Sequence, residues 1–357
     1  MTNSSRLTSK NNNSEIREQG GGGWGGVLLG LPFFLIGLLM VSYVLGFNPM
    51  HIENKGVPLA LLVVIGLPFL VIGFFVIFGN SHIRIDRRQG LLTTSAGILF
   101  FVKRTNIPIQ NILRVQFDYI PGDSETAKNF LVRLVLPEPD VPVLFHNSSN
   151  YLNELAIAKD LSRFLDRPLE DVSGGQGVLL EPAYLDENLR ERVKRLGEDA
   201  RYLPTRPIEM RTQIKQTYEG VALEIPSPWS SAFTKAVSLI NERLAKTLVT
   251  ASAAGLRIEG RASTSTKAGI QEHLDVEIPV AALRSLDVAT ALSAVRKNTP
   301  GRADGKVSEL AVSIAKNLGS VGITVQSETE FIQFGMGLPE DEAVYLHALL
   351  KSVLVGR

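Results

Sequence analysis

From Gln19 to Ile52 the chain carries no Asp, Glu, Lys or Arg, and from Gly56 to Ile83 it again carries none. Each run exceeds the ~20 apolar residues that cross a bilayer core. A buried core helix seldom stays apolar on every face for that length. A signal peptide has a shorter apolar region, ends at small residues and does not account for a second run. The pattern predicts two transmembrane helices, near Trp24–Gly46 and Val57–Gly79.

The two runs share a phrase, GLPFFLIG at Gly30–Gly37 and GLPFLVIG at Gly66–Gly73. Pro32 and Pro68 remove an amide hydrogen and favour kinks, which neighbouring transmembrane helices tolerate. Gly26 and Gly30 are four apart; Gly30 and Gly37, like Gly66 and Gly73, are seven apart and return to nearly one helix face. These five glycines are the expected helix-packing residues. Neither span holds an acid, a base or a histidine, so an ion or proton relay has no candidate group. Arg6, Lys10 and Arg17 precede the first span, and Arg84, Arg87, Arg88, Lys103 and Arg104 follow the second. Cationic flanks stay in the cytoplasm, so both termini are expected there, with the protein in the cell membrane and most of the chain on the inner side.

The remainder of the 357 residues has a different character. Residues 1–23, rich in Asn, Ser and Gly, have the composition of a disordered tail. Net charge is +1 and there is no cysteine. Global charge therefore gives no argument for nucleic acid, and disulfides and thiolate chemistry are excluded.

From His82 onward apolar residues alternate, with breaks at Gly, Pro and Asp. Short strands are expected at His82–Arg88, Leu91–Thr94, Ile98–Lys103, Ile107–Ile109, Leu113–Tyr119, Phe130–Leu136 and Val141–Phe145. An amphipathic helix is expected at Tyr151–Leu165. Strands closed by one helix, over residues 81–172, are in the order of a pleckstrin-homology (PH)-like barrel. IPIQNILRV at Ile107–Val115 resembles a segment of bacterial PH-like domains. Phe164–Asp171, FLDRPLED, and the terminal FGMGLPEDEAVYLHALL resemble phrases of bacterial integral membrane proteins that carry such domains. The resemblance implies an α+β fold behind a transmembrane hairpin, and bacterial PH-like domains are mostly not lipid readers.

Residues 173–216 are expected to be a linker with a charged helix at Glu187–Arg201 capped by Asp186. DVSGGQG at Asp171–Gly177 contains the SGGQ of the ABC ATPase signature but lacks the phosphate-cradling G-x-x-x-x-G-K-[ST] loop, so it reads as flexible linker. Residues 217–357 form a second α+β module. Its expected strands are Tyr218–Ile225, Gly255–Arg261, His273–Pro279, Arg284–Val288, Ile323–Gln326 and Glu330–Phe334. Its expected helices are Ser231–Val249, Ser308–Leu318 and a last one opened by Pro339. IPVAALRSL at Ile278–Leu286 echoes IPIQNILRV, which suggests a second, degenerate PH-like copy.

Five scattered histidines have no metal-ligand spacing, and no nucleophile elbow or dinucleotide fingerprint occurs. The expectation is a membrane-anchored, non-enzymatic protein without cofactor, metal or nucleic acid, serving as a scaffold or regulatory interaction surface for a protein partner. Two alternatives stand beside it. One is an anionic-lipid sensor using Arg84, Arg87, Arg88, Lys103 and Arg104, each contributing about 1 kcal/mol near an anionic surface. The other is an accessory subunit of a transport or envelope complex.

Overall fold

The computed structural model describes residues 15–20, 24–44, 59–98, 101–120, 129–137, 142–175, 177–226, 246–266, 269–289 and 321–356. It is a mixed α+β chain in two compact units, divided between Asn111 and Ile112.

In the first unit, strand β1 (Glu15–Gly20) precedes helices α1 (Trp24–Val44) and α2 (Leu59–Phe78). Strands β2 (Gly79–Asp86), β3 (Leu91–Ile98) and β4 (Phe101–Pro108) follow, with a 3-10 turn at Ile109–Asn111. These strands make an antiparallel sheet in the order β1-β2-β3-β4. The expected disordered tail therefore contains a strand. Its backbone pairs with β2 from Glu15↔Asp86 to Gly20↔Ser81, covering what would otherwise be an open sheet edge. Strand β2 begins at the residue after α2 ends, so helix and sheet are covalently continuous.

The second unit opens with β5 (Arg114–Ile120), β6 (Asn129–Val135), β7 (Val143–Ser148), α3 (Tyr151–Leu165), β8 (Leu169–Asp171) and β9 (Val178–Leu180). Their sheet runs β7-β6-β5-β8-β9. The helix matches its expected bounds. Asn150 caps its start by accepting from Asn153 N–H, and Asp166 ends it in the left-handed conformation. Helix α4 (Leu189–Leu196) is shorter than expected and is capped by Asn188, not Asp186. Asn188 and Glu191 close a reciprocal capping box, and Gly197 stops the helix at positive φ.

Strands β10 (Gln213–Gln216), β11 (Gly220–Pro226), β12 (Lys246–Ser252), β13 (Gly255–Thr266), β14 (Gly269–Pro279), β15 (Leu283–Ala289), β16 (Gly322–Ser327) and β17 (Phe331–Phe334) form the largest sheet. Helix α5 (Glu340–Val355) closes the unit, with Pro339 at its N-cap. The last part of the helix expected at Ser231–Val249 is strand. Thr247, Val249 and Ala251 are alternately buried, and this period of two prevails over helical spacing. Residues 231–245, the helix expected at Ser308–Leu318, and the hairpin turn at 138–141 lie outside the described residues.

One element order occurs twice. A first strand pairs antiparallel with a second: β1 with β2, and β11 with β12. Two further strands end in Ile-Pro, at Ile107–Pro108 and Ile278–Pro279. A three-residue 3-10 turn follows each, and the residue after the proline donates its N–H back to the turn two strands earlier. Ile109 donates to Gly90 O and Val280 to Ala254 O, at 2.8 and 2.9 Å. Three antiparallel strands and a helix complete each pass. The strands of the first pass fall in two sheets and in both units, rather than in one sheet over 81–172.

The second unit has two buried layers. On one face of the large sheet, Leu223, Ile225, Val249, Leu256, Ile258, Ile323, Val325, Ile332 and Phe334 pack with Ala343, Leu346, Leu350 and Leu354 of α5. On the other side, Phe331 of β17 enters an aromatic cluster with Tyr119, Phe130 and Tyr151, at ring-centroid distances of 4.7, 5.1 and 5.6 Å. All six residues of β16 are buried, since this strand has a layer on each face.

Candidate functional site

Helix α1 has 21 residues and α2 has 20, with a proline inside each. Their contact is built on glycine. A Cβ at Gly37 would lie 2.6 Å from Leu70 Cα, and one at Gly73 would lie 2.7 Å from Phe34 Cα. A Cβ at Gly30 would meet Ile77 Cγ1 at 2.7 Å, and one at Gly66 would meet Met40 Cβ at 2.7 Å. Real Cβ atoms do not approach so closely, so these four positions let the backbones touch. Gly26 lies in the first turn of α1.

The repeated phrase acquires a geometric meaning here. Shifting Gly37 by the 36 residues that separate the two phrases gives Gly73, and shifting Leu70 back by 36 gives Phe34. The contact Gly37–Leu70 therefore has Gly73–Phe34 as its image, and both are present at nearly equal distances. Phe33 and Phe69 are images of each other and stack at 5.8 Å. The hairpin has an internal pseudo-two-fold axis passing between these two rings.

The outward faces of the helices are apolar. Leu28, Leu29 and Val64 are 68–70% exposed, and Leu35, Ile36, Leu38, Leu67, Ile72 and Phe75 are also exposed. The described side chains cover 27–43 and 64–79. Among the described residues no helix is long and apolar enough to cross a membrane.

The five cations that follow α2, Arg84, Arg87, Arg88, Lys103 and Arg104, do not form one patch. Arg104 is level with Ser95 and His82, and Arg84 with Thr93, so Arg84 and Arg104 share a sheet face. Lys103, level with Ala96 and Ser81, is on the opposite face. Measured along β2 from its first residue, Gly79, at ~3.3 Å per residue, Lys103 is about 7 Å away, Arg104 about 10 Å and Arg84 about 17 Å. Arg87 and Arg88 sit in the turn beyond Asp86, about 25 Å away. There the Asp86 carboxylate accepts Arg88 and Gln89 N–H, and Arg84 Nη2 lies 3.5 Å from it.

The stretch expected to be a flexible linker is instead a packed joint of the second unit. Asp171 is the last residue of β8, and Ser173 and Gly174 are buried. Asp171 Oδ1 accepts Ser173 N–H at 3.0 Å and Ser173 Oγ–H at 2.5 Å. Gln326 of β16 donates Nε2–H to Ser173 Oγ at 2.6 Å and approaches Asp171 Oδ1 at 3.5 Å. A Cβ at Gly174 would lie 2.5 Å from Asp287 Oδ2, so the SGG backbone rests against a carboxylate of β15. Asp287 and Thr324 are register partners beside this joint, and Thr324 is fully buried. Burial raises the Asp171 carboxyl to about 6; the charge of Asp287 adds to the rise, while the hydrogen bonds from Ser173 and Gln326 oppose it. Burial, then the Asp171 charge, also pushes the Tyr151 hydroxyl up, against Arg284; that hydroxyl donates to Ser327 O at 3.2 Å.

An ion cluster flanks the joint. Asp186, expected to cap a helix, instead accepts from Lys159 Nζ at 3.0 Å and from Arg163, with Arg284 at 4.0 Å. Arg284 also donates to Leu185 O and to Glu328 Oε1, each at 3.1 Å. Burial pulls the Lys159 ammonium below its usual value; its hydrogen bond to Asp186 offsets part of this, and Arg284 adds to the fall.

Sequence reasoning missed this joint because Asp171, Asp186, Asp287 and Gln326 are far apart in the chain. The one available signal was Ser-Gly-Gly beside an acid. The carboxylates of the joint, Asp171 and Asp287, are both buried, with Ser173 and Gln326 against Asp171 and Gly174 against Asp287. Among the described residues no group of three His, Asp or Glu side chains is placed to hold a metal. No protein-family model matches the chain, and no curated protein matches it.

Proposed function

We propose that this is a membrane-anchored, non-enzymatic protein. Its helix hairpin holds α+β modules at the cytoplasmic surface of a cell membrane, where they act as a scaffold or regulatory surface for a protein partner. The observation that carries the reading is the hairpin: two helices of 21 and 20 residues, joined on glycine and apolar on their outward faces. At 1.5 Å per residue each is about 30 Å long, near the thickness of a hydrocarbon core. Lipid is the solvent that suits such faces, whereas in water they would form an apolar patch far larger than monomers usually expose.

The doubled element order supports a PH-like reading of both passes: four strands, a turn after Ile-Pro, three strands and a helix. In the first pass α1 and α2 are inserted between the first strand and the second. The closed polar joint supports a structural use of its carboxylates over catalysis. The separation of Lys103 and Arg104 from Arg87 and Arg88 disfavours the lipid-sensor alternative, because one headgroup would not engage all five.

Extraction of membranes with alkaline carbonate tests the anchor: the full chain should stay with the lipid. Purification in mild detergent tests the partner. A protein that co-purifies in fixed ratio is expected, and a lone chain or homo-oligomer would remove the scaffold reading.

A further inference from the structure

The coil 201–211, RYLPTRPIEMR, connects α4 to β10. Both ends are fixed. At one end Ala200 packs against the buried core of the unit, and Arg201 N–H closes a local turn onto Asp199 Oδ1 at 3.0 Å. At the other end Glu342, fully buried in the first turn of α5, accepts Arg211 N–H at 3.1 Å and Thr212 N–H at 2.8 Å. Between them Pro204 and Pro207 restrict the backbone.

This fixed coil presents apolar side chains to the outside. Ile208 is fully exposed at a turn, Tyr202 is 72% exposed and Leu203 is 43% exposed. Arg201, Arg206 and Arg211 are all exposed, against one acid, Glu209. Among the described residues none of the three arginines pairs with a carboxylate. A solvated loop needs no anchored isoleucine at its tip, and an acidic protein surface would leave Ile208 and Leu203 without an apolar partner. An anionic lipid surface satisfies both sets of groups. Isoleucine and leucine enter the acyl boundary, tyrosine sits at headgroup level, and guanidinium groups pair with phosphates.

We propose that residues 201–211 dock on an anionic bilayer surface, giving the second unit a membrane contact of its own. The inference rests on the membrane-anchored reading above, and it concerns residues other than the juxtamembrane cations.

The chain has no cysteine, so single labels are clean. Ile208→Cys carries an environment-sensitive fluorophore, and Val71→Cys in α2 carries the same label as a reporter of the anchor. The full chain is reconstituted in vesicles of phosphatidylcholine alone or mixed with phosphatidylglycerol, with doxyl-labelled lipid as quencher. In the mixed vesicles the label at 208 should shift to the blue and be quenched, and high salt should reverse both effects. Arg206→Ala and Arg211→Ala should each weaken this contact by roughly five-fold. A label at 208 that stays in water while that at 71 is quenched overturns the inference and leaves the anchor standing. If neither is quenched, the anchor itself fails. A blue shift without quenching indicates a protein contact and overturns the proposal. Equal quenching in phosphatidylcholine alone overturns its anionic requirement.

Discussion

Asp171→Asn should stabilise this protein at neutral pH, although it removes a buried, hydrogen-bonded carboxylate. All three polar contacts described for Asp171 converge on Oδ1. An asparagine in the same rotamer keeps an acceptor there. What it loses is the negative charge, which is buried and faces Asp287. The folded-state value of about 6, against 3.8 ordinarily, means the folded chain binds this proton more tightly than the unfolded one. The stability linked to it is present below pH ~4 and is lost as pH rises to ~6. Two pKa units correspond to about 3 kcal/mol; relaxation around the charge brings the expected gain on neutralisation to about 1–3 kcal/mol at pH 7 and above. For a unit of this size that is roughly 2–4 °C in Tm per kcal/mol. The assay is thermal melting of the full chain in mild detergent between pH 4.5 and 8. The variant-minus-wild-type difference should grow through pH 5–6 and level off. Taking the difference cancels His347, which burial holds below its usual value and which therefore acts in the opposite direction. A variant less stable at every pH, with no pH-dependent difference, would show that the charge holds the joint together rather than straining it.

Further expectations follow from the packing. Gly37→Ala and Gly73→Ala should each force α1 and α2 about 1 Å apart. Because the contacts are pseudo-two-fold images, both should reduce the yield of a Phe33→Cys/Phe69→Cys disulfide equally; a clear inequality would contradict the symmetry. Phe331→Ala, which empties the centre of the aromatic cluster, should cost about 3–5 kcal/mol in denaturant unfolding of the full chain. A loss below 1 kcal/mol would mean the cluster does not join the two sheets of the second unit. On the proposed membrane anchor, replacing Lys103 and Arg104 by Ala should weaken salt-dependent attraction to anionic vesicles more than replacing Arg87 and Arg88, since charges about 25 Å along the sheet lie several Debye lengths away. The reverse order would show that the sheet does not run away from the lipid.

What could be read from the sequence was what is local. The two apolar runs, helix α3 to the residue, and the strands around both Ile-Pro phrases follow from periodicity and from proline. The glycines at which α1 and α2 touch were visible because seven residues return to one helix face. The pairing rule between them was not, since it depends on which residue of α2 faces which of α1. Strand β1 was missed because its composition has no strand signal of its own; it is ordered by pairing with β2. Asp186 was misread as a cap because its partners Lys159 and Arg284 come from α3 and β15. Ser173 and Gly174 looked like linker because local composition does not reveal that Gln326 and Asp287 pack against them.

Cysteine mapping in sealed cells and inverted vesicles tests the proposed hairpin and its orientation together. The starting chain contains no cysteine, so each site reports alone. Cysteines at Leu39 and Val71 should resist a membrane-impermeant maleimide from both sides, and one at Lys351 should react only when the cytoplasmic face is exposed. Reaction at 39 and 71 from either side would contradict the membrane hairpin, and labelling of 351 in intact cells would reverse its orientation.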